Sequence, residues 1–390
     1  SALYNKIGDD KMYKIMTPGP TQVRDNVRAA RSLRTTNPDV DTDFTEYYKT
    51  TCDMIAKIIN SSGNIYILSG EGILGLEAAC ASLTEQGDKV LVIDNGVYGK
   101  GFGDFVKIYG GKPIYYTKDY HKPIDPADLR EYLKNNHNFK YATIVHCDTP
   151  SGMLNDVETI CPILKEYGIL TVVDSVSASF GIPLDVDKGC IDICCMGSQK
   201  ALSAPPGLTM VSVSDDAMKA MMSRKTPIAS FYCNLLTFKD YYVQKWFPYT
   251  MPVSCIMGLN KAVKNVLFDE HIYDRHRIIA AAARKAVTEA GLTLYASAGY
   301  SDTVTVVNVP ESLKDEHILD IMRDEYNILL ADSFDMLSGK VFRIGHMGEN
   351  CNIKDMAETF KALDKTFEKL GYSLKNSMYD VFVKETEKYI

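Results

Sequence analysis

The chain has 390 residues, of which 46% are hydrophobic, so it can bury a large core and form two domains. Its 43 lysines and arginines against 50 aspartates and glutamates give a formal net charge of −7, which argues against nucleic acids and membrane surfaces as main partners. No apolar run approaches the roughly 18–20 residues of a membrane span, and the first residues lack a signal-peptide pattern. We therefore expect a cytoplasmic protein that acts on small molecules.

The cysteines carry no sign of a disulfide framework or a metal site. There are ten of them, which is few for a disulfide-built fold of this length. Cys190, Cys194 and Cys195 lie close together but lack the paired spacing of a zinc site. We predict reduced, buried thiols and no metal.

The first elements in chain order are a rigid turn and two helices. Residues 16–21 read Met-Thr-Pro-Gly-Pro-Thr, which favours a loop. Residues 23–30 are predicted to begin a helix, and apolar residues at helical spacing predict a second helix over 43–59. Asn-Ser-Ser-Gly at 60–63 ends that helix.

A glycine-rich turn at 69–72 follows a predicted strand over 64–68 and precedes a predicted helix over 73–83. Such a turn presents free N–H groups and the positive end of the helix dipole, so it is a potential anion site. The pattern Gly70-x-Gly72-x-x-Gly75 also matches the dinucleotide fingerprint, with Asp94 about two dozen residues further on. On this stretch alone, a nicotinamide-dependent dehydrogenase is as good an interpretation as any other phosphate-binding enzyme.

Strands and helices alternate from about residue 64 to residue 212, which is typical of a mainly parallel sheet with helices on both faces. Residues 89–93 and 142–145 are predicted strands, and residues 160–167 are a predicted crossover helix.

Two short apolar runs, 169–173 and 191–196, are predicted to be buried strands. The first ends in Asp174, and Lys200 lies just past the end of the second. Both side chains can share a cleft at the edge of a parallel sheet. A lysine amine can bind the aldehyde of pyridoxal 5′-phosphate (PLP), and a carboxylate can keep its pyridine nitrogen protonated. The pair therefore indicates a PLP enzyme.

The last third of the chain is predicted to contain a long helix that starts at 254 and continues past His276. Strands are predicted at 303–309 and 340–345, and an amphipathic helix at 355–371.

Arg343 lies on the second of these predicted strands. Its guanidinium can form two parallel hydrogen bonds with a carboxylate, which a lysine cannot do. The dehydrogenase interpretation gives no role to Arg343, Asp174 or Lys200, so the PLP interpretation is preferred.

Three strings of the chain resemble the class V aminotransferases of fold type I: VVDSVSA, GSQKALSAPPGL and, near the start, TPGPT. The likeness is greatest to the alanine–glyoxylate and serine–pyruvate group, and it covers nearly the whole chain. It implies the PLP-transferase fold type I, which is an α/β fold with a mainly parallel seven-stranded sheet between helices and a smaller α+β carboxy-terminal domain. It also implies an amino-terminal arm over 1–17, a large PLP-binding domain over 18–270 and a small domain over 271–390.

By this resemblance Lys200 is the PLP lysine and Asp174 is the partner of the pyridine nitrogen. The further cofactor contacts that it implies are Glu71, Gly72, Ile73, Tyr98, Thr149, Val176 and Gln199.

The resemblance also implies how these residues act. Gly72 and Ile73 are expected to donate backbone N–H groups to the phosphate of PLP. Glu71 is expected to point elsewhere, because a carboxylate does not suit a phosphate. Tyr98 takes the place of an aromatic side chain that stacks on the pyridine ring.

The substrate contacts and the dimer are implied in the same way. The backbone of Gly19 is expected near the substrate carboxylate, and Arg343 is expected to clamp that carboxylate. Thr250 is expected to reach the PLP phosphate of the neighbouring subunit, which implies a homodimer.

The implied reaction is transamination of a small amino acid, alanine or serine, with glyoxylate or pyruvate. Alternatives within the PLP class are an aminoethylphosphonate or ureidoglycine transaminase and a desulfurase-type lyase, which requires a nucleophilic cysteine on a mobile loop. The alternatives outside the class are the dehydrogenase and a catalytically silent binding protein.

Overall fold

A seven-stranded β-sheet lies at the centre of the protein, which the computed structural model describes over residues 12–389. Within that range the strands are β1 (Lys14–Ile15), β2 (Asn64–Ser69), β3 (Lys89–Asp94), β4 (Lys112–Thr117), β5 (Tyr141–Val145), β6 (Cys147–Asp148), β7 (Met153–Leu154), β8 (Leu170–Asp174), β9 (Ile193–Gly197), β10 (Leu208–Val213), β11 (Val304–Asn308), β12 (Ile328–Leu329), β13 (Ala331–Asp332) and β14 (Val341–Gly345). The α-helices are α1 (Asp25–Arg31), α2 (Thr42–Ile58), α3 (Gly72–Leu83), α4 (Val97–Ile108), α5 (Pro126–Leu133), α6 (Val157–Glu166), α7 (Asp215–Met222), α8 (Tyr241–Gln244), α9 (Val253–Leu267), α10 (Ile272–Glu289), α11 (Ile318–Tyr326), α12 (Ile353–Lys369) and α13 (Met378–Thr386).

The strand order of the large sheet is β2-β10-β9-β8-β5-β3-β4. Neighbouring strands pair in parallel except at β10, which runs antiparallel to both β2 and β9. β5 and β10 are buried along their whole length, as expected for strands that are covered on both faces. The mainly parallel seven-stranded sheet is therefore confirmed.

The carboxyl ends of the central strands bring distant parts of the chain together. β8 ends at Asp174, and its register places this residue opposite Cys195 of β9. β9 ends at Gly197, so Lys200 follows within the same turn. Loops at this edge of an open parallel sheet form a crevice, which is where ligands bind in such folds.

The surroundings of the glycine turn do not suit a dinucleotide. The fingerprint requires a strand, a helix and a second strand within a compact parallel unit. Here β2 lies at the edge of the sheet and pairs only with the antiparallel β10, whereas β3 lies between β5 and β4. The Asp94 carboxylate accepts hydrogen bonds from the hydroxyls of Thr117 and Tyr120. The pattern at Gly70–Gly75 is therefore not part of a dinucleotide fold.

A second hydrophobic core lies in the carboxy-terminal part of the chain. It includes residues of α10, α12 and α13 and of the three-stranded sheet β11-β14-β13. β1 pairs with β12, and the buried Met16 belongs to this second core. These contacts support the predicted small α+β domain. Its boundary at residue 271 stays a prediction, and residues 1–11 of the predicted arm lie outside the described residues.

The single long helix predicted from residue 254 onward is wrong, because α9 ends at Leu267 and α10 begins at Ile272. Between them the Asp269 carboxylate accepts the backbone N–H of His271 at 3.1 Å and an ion pair from Arg275. An aspartate that bonds local N–H groups favours a turn over a continuous helix.

Candidate active site

A cavity of about 220 Å³ lies at the carboxyl edge of the large sheet. Ten of the twelve predicted site residues line it, together with Leu76 and Ser177, which the sequence did not single out: Gly19, Glu71, Gly72, Ile73, Tyr98, Thr149, Asp174, Val176, Gln199 and Lys200. Arg343 and Thr250 are not among the lining residues. Residues separated by up to 181 positions, from Gly19 to Lys200, therefore meet in one place.

Asp174 is a buried carboxyl group that faces the cavity, with 5% of its surface exposed. Its Oδ1 accepts the backbone N–H of Val176 at 2.9 Å, which holds its orientation. Among residues 12–389 no cation lies within ion-pair distance of it. Burial raises the pKa of Asp174 to about 7. The carboxylate would be stabilised by a cationic partner, which a ligand can supply.

Lys200 lies in the turn after β9, and its Nζ donates a hydrogen bond to the carbonyl oxygen of Pro18. Burial, followed by the positive charge of Arg343, lowers the pKa of Lys200 to about 8. A larger fraction of this amine is therefore neutral near pH 7 than in an ordinary lysine, as a lysine nucleophile or base requires.

Gly19 allows the amino-terminal loop to pass directly over Lys200. Its φ is +100°, and a Cβ placed there would lie 2.4–2.6 Å from the Cδ, Cε and Nζ atoms of Lys200. The loop is held on β14 because Gly345 donates its N–H to the carbonyl of Met16 at 2.7 Å. A glycine is therefore required at position 19 for both conformation and space.

The amino terminus of α3 forms one corner of the cavity, and here the expectation for Glu71 is wrong. Glu71 does not point away; its Oε1 accepts the N–H of Ile73 at 3.0 Å and caps the helix. Its Oε2 accepts a hydrogen bond of 3.2 Å from Nε2 of Gln199. The Ile73 N–H that was expected to face a phosphate is thus occupied, whereas Gly72, as the first residue of α3, has no acceptor within the helix.

Tyr98 lies in the first turn of α4, and its N–H donates to the buried Asp148 carboxylate at 3.2 Å. Its ring meets that of Phe334 edge-on, with 5.6 Å between the centroids. The hydroxyls of Thr149 and Ser177 form a short hydrogen bond in the cavity wall. Ser177 lies in the string VVDSVSA, close to the predicted site residues Asp174 and Val176. Its place in that string could have identified it as a site residue.

Arg343 lies on β14 beside the cavity and is 9% exposed. Its Nε and one Nη donate to the carbonyl oxygen of Asp332 at 2.8 and 2.6 Å, and the other Nη reaches the carbonyl of Thr149 at 3.5 Å. The Phe334 ring covers the guanidinium at 5.8 Å. Among the described residues none gives it a carboxylate within ion-pair distance, so its charge is available to an anion.

Thr250 lies on the surface, away from the cavity. It is exposed, and its hydroxyl donates to a carboxylate oxygen of Asp39 at 3.0 Å. The neighbouring Tyr249 accepts the N–H of Ser69 at 3.3 Å, close to the glycine turn. The single chain therefore does not bring Thr250 together with the other predicted site residues.

These groups fit a flat, cationic heteroaromatic ring that carries an aldehyde. The unpaired buried carboxyl of Asp174 suits a protonated ring nitrogen, and the partly neutral amine of Lys200 suits the aldehyde carbon. Within the described residues there is no cluster of His, Cys, Asp and Glu that could hold a metal ion, and no helix long and apolar enough to cross a membrane.

Comparison with known proteins identifies the family. The family model of the class-V aminotransferases matches residues 23–332. The chain is 33% identical over 371 residues to an uncharacterized aminotransferase of Methanocaldococcus jannaschii, a match that covers 94% of this chain and 96% of the relative. It is 34% identical over 339 residues to the pyridoxamine–pyruvate transaminase of Mesorhizobium japonicum, which covers 85% and 86%.

A solved structure supports the same family assignment. The ureidoglycine–glyoxylate aminotransferase of Bacillus subtilis superposes with a TM-score of 0.93 at 25% identity, covering 97% of this chain and 99% of that chain. The resemblance and the fold type predicted from the motifs are confirmed, and no comparison supports the dehydrogenase. The chain therefore belongs to the class-V aminotransferases, a family of PLP-dependent enzymes of fold type I.

Proposed function

We propose that this aminotransferase transfers the amino group of a small amino acid, alanine or serine, to glyoxylate or pyruvate. The observation that carries the proposal is that the buried Asp174 and the half-buried Lys200, both with shifted pKa values, face one cavity beside the unpaired guanidinium of Arg343. Bound PLP supplies an electron-withdrawing ring that stabilises negative charge on the substrate carbon. The protein has to hold that ring, orient the substrate and move one proton.

Lys200 is the group that moves the proton. With a pKa of about 8, roughly a tenth of the amine is neutral at pH 7, whereas an ordinary lysine is almost fully protonated. The neutral Nζ takes the proton from the substrate α-carbon and later returns a proton. The Pro18 carbonyl accepts a hydrogen bond from Nζ and keeps the amine near the cavity between these events.

Asp174 orients the cofactor ring. A protonated ring nitrogen beside Asp174 favours the ionised carboxylate and lowers its pKa from the raised value of the unliganded site. The Val176 N–H, at 2.9 Å from Oδ1, keeps the carboxylate from rotating away.

Arg343 binds the substrate carboxylate. Its guanidinium is aligned by the Asp332 carbonyl, and the weak contact of 3.5 Å to the Thr149 carbonyl leaves one Nη able to turn toward a carboxylate. The backbone of Gly19, which passes over Lys200, borders the same region.

The active form is a homodimer in which Thr250 of one subunit would face the phosphate of PLP, when PLP is bound, in the cavity of the neighbouring subunit. The exposed position of Thr250, away from its own cavity, supports a role in trans. A reducing compartment such as the cytoplasm suits the ten cysteines, all of which are free thiols.

The acceptor is supported by the names of two relatives, which are a pyridoxamine–pyruvate transaminase and a ureidoglycine–glyoxylate aminotransferase. Transamination of ureidoglycine or aminoethylphosphonate stays an alternative within the family. A desulfurase-type reaction is disfavoured because no cysteine is among the residues that line the cavity.

Three variants test the proposal. Lys200→Ala should abolish transamination while leaving the circular dichroism spectrum unchanged, and Lys188→Ala, which removes an exposed lysine, should leave turnover unchanged. Arg343→Ala should raise KM for substrates that carry an α-carboxylate by about tenfold or more. Steady-state assays with alanine and serine against glyoxylate and pyruvate provide the readout. Retained turnover in Lys200→Ala would refute the mechanism.

A further inference from the structure

The corner of the cavity at the start of α3 contains more hydrogen-bond acceptors than a phosphate group tolerates. Glu71 places a carboxylate over the helix amino terminus and takes the N–H of Ile73. Among residues 12–389, no lysine, arginine or histidine lies within ion-pair distance of Glu71 to neutralise it. A phosphate monoester carries a charge of about −1.5 to −2 at pH 7, so it meets a like charge at this position.

Gln199 adds an independent observation. It is 7% exposed, it lines the cavity, and its Oε1 is buried without any hydrogen-bond partner. Its orientation is determined by the other end of the amide, because Nε2 donates to Glu71 Oε2 at 3.2 Å. A buried acceptor without a donor is costly unless a ligand supplies one.

The two residues together therefore require a ligand that donates a hydrogen bond. A hydroxymethyl group has an O–H that can donate to Glu71 or to Gln199 Oε1, and it carries no charge. A phosphate dianion only accepts hydrogen bonds, and one of the donors it would need, the N–H of Ile73, is already bonded to Glu71.

We propose that Glu71 and Gln199 select a hydroxyl over a phosphate at this corner, so that the site binds the unphosphorylated B6 compounds pyridoxal and pyridoxamine at least as tightly as PLP. The inference rests on the proposed function, since it assumes that Lys200 and Asp174 hold the pyridine ring. It adds Glu71 as the residue that determines which form of the ring compound is accepted.

The test is a comparison of dissociation constants. The purified full chain, freed of bound B6 compounds, is titrated separately with pyridoxal and with PLP while the absorbance of the ligand bound at Lys200 is recorded. Glu71→Ser and Glu71→Gln remove the charge; serine can still cap α3, and glutamine keeps nearly the size of the glutamate side chain. Glu77→Gln is the matched control, because it removes a carboxylate from the same helix that is not among the lining residues.

We expect the wild-type chain to bind pyridoxal at least as tightly as PLP. Both Glu71 variants should bind PLP at least about tenfold more tightly, without a similar gain for pyridoxal, and Glu77→Gln should change neither value. Inorganic phosphate should compete with PLP in Glu71→Ser. Borohydride reduction followed by mass spectrometry identifies which compound is attached to Lys200 in each case.

Two results would overturn the inference: tighter binding of PLP than of pyridoxal by the wild type, or an unchanged ratio of the two constants in both Glu71 variants. If one variant fails to fold, the other decides. Failure of the wild type to bind either compound at Lys200 would instead contradict the proposed function, so the two ideas fail separately.

Discussion

At the scale of single residues, the groups proposed to do the chemistry are also the groups that weaken the unliganded protein. Asp174 is a carboxyl group buried without a cation, and Lys200 is an amine buried beside another positive charge. Each therefore holds its charge less readily than in water. Such unfavourable burial of charge is expected at a site where a bound ligand supplies the missing partners.

Asp174→Asn should stabilise the protein when no B6 compound is bound. The pKa of Asp174 rises from 3.8 to about 7 on folding, so the folded state binds the proton more tightly than the unfolded state. Its contribution to stability is therefore fully present below pH 3.8 and is lost as the pH rises through about 7. The substitution should raise the free energy of unfolding at pH 8 by up to about 4 kcal/mol, with little effect near pH 4.

Thermal unfolding of the B6-free chain at several pH values provides the measurement. The control is Asp192→Asn, which alters a buried aspartate that forms an ion pair with Lys165 and should therefore destabilise the protein at neutral pH. An Asp174→Asn protein that melts below the parent at pH 8 would contradict the prediction.

At the scale of elements, the position of α3 depends on close contact with the sheet. Gly75 faces β10, where a Cβ would lie 2.5 Å from Oγ1 of Thr209 and 3.4 Å from Cγ2 of Val211. That hydroxyl donates to the carbonyl of Met196 at 2.9 Å, so it cannot move without losing a hydrogen bond. The close approach aligns the start of α3, and with it Glu71 and Gly72, on the cavity.

Gly75→Ala should therefore lower the free energy of unfolding by roughly 1–3 kcal/mol, because the added methyl group has no space. Gly101→Ala provides the comparison within another helix, α4. No atom lies within 4 Å of a Cβ at Gly101, so this variant should be more stable by about 0.5–1 kcal/mol. Urea unfolding measures both values, and equal effects of the two substitutions would show that α3 is not held by this contact.

At the scale of the whole molecule, the residues of the proposed site come from both the large sheet and the part of the chain that forms the second hydrophobic core. Lys200 and Asp174 follow strands of the large sheet, whereas Arg343 comes from β14, whose neighbours Phe342 and Ile344 belong to the second core. The proposed dimer adds Thr250. Val243 and Trp246, which precede Thr250 in the chain, are exposed apolar side chains.

Mixed dimers should test whether Thr250 acts in trans. Lys200→Ala and Thr250→Ala chains, each weakly active or inactive alone, are co-expressed with different tags and purified as the mixed dimer. If Thr250 serves the neighbouring site, one of the two sites is intact and activity should return to about half of the wild-type value. If Thr250 serves its own subunit, both sites stay defective and no activity returns. Light scattering measures whether the purified species is a dimer.

Much of the fold could be predicted from local patterns, and most of the candidate site from the resemblance to the class V aminotransferases. Short apolar runs predicted the strands before Asp174 and Lys200, and parallel topology predicted that their ends would meet, because alternation of strand and helix leaves few other arrangements. The break between α9 and α10 was missed, because the bonds of Asp269 to Arg275 and to the backbone of His271 are not visible in apolar periodicity.

The glycine turn shows where local patterns stop being sufficient. Gly70–Gly75 satisfied the dinucleotide fingerprint, and only the pairing of β2 with the antiparallel β10 excluded that fold, since sheet order depends on contacts between residues far apart in the chain. Residue chemistry alone suggested that Glu71 would avoid an anion site. Its actual position depends on Ile73 and Gln199, which approach it only after the sheet and α3 have packed. The identity of the reacting groups is thus a property of the sequence, whereas their charge states and the ligand they accept arise from burial and neighbours that folding creates.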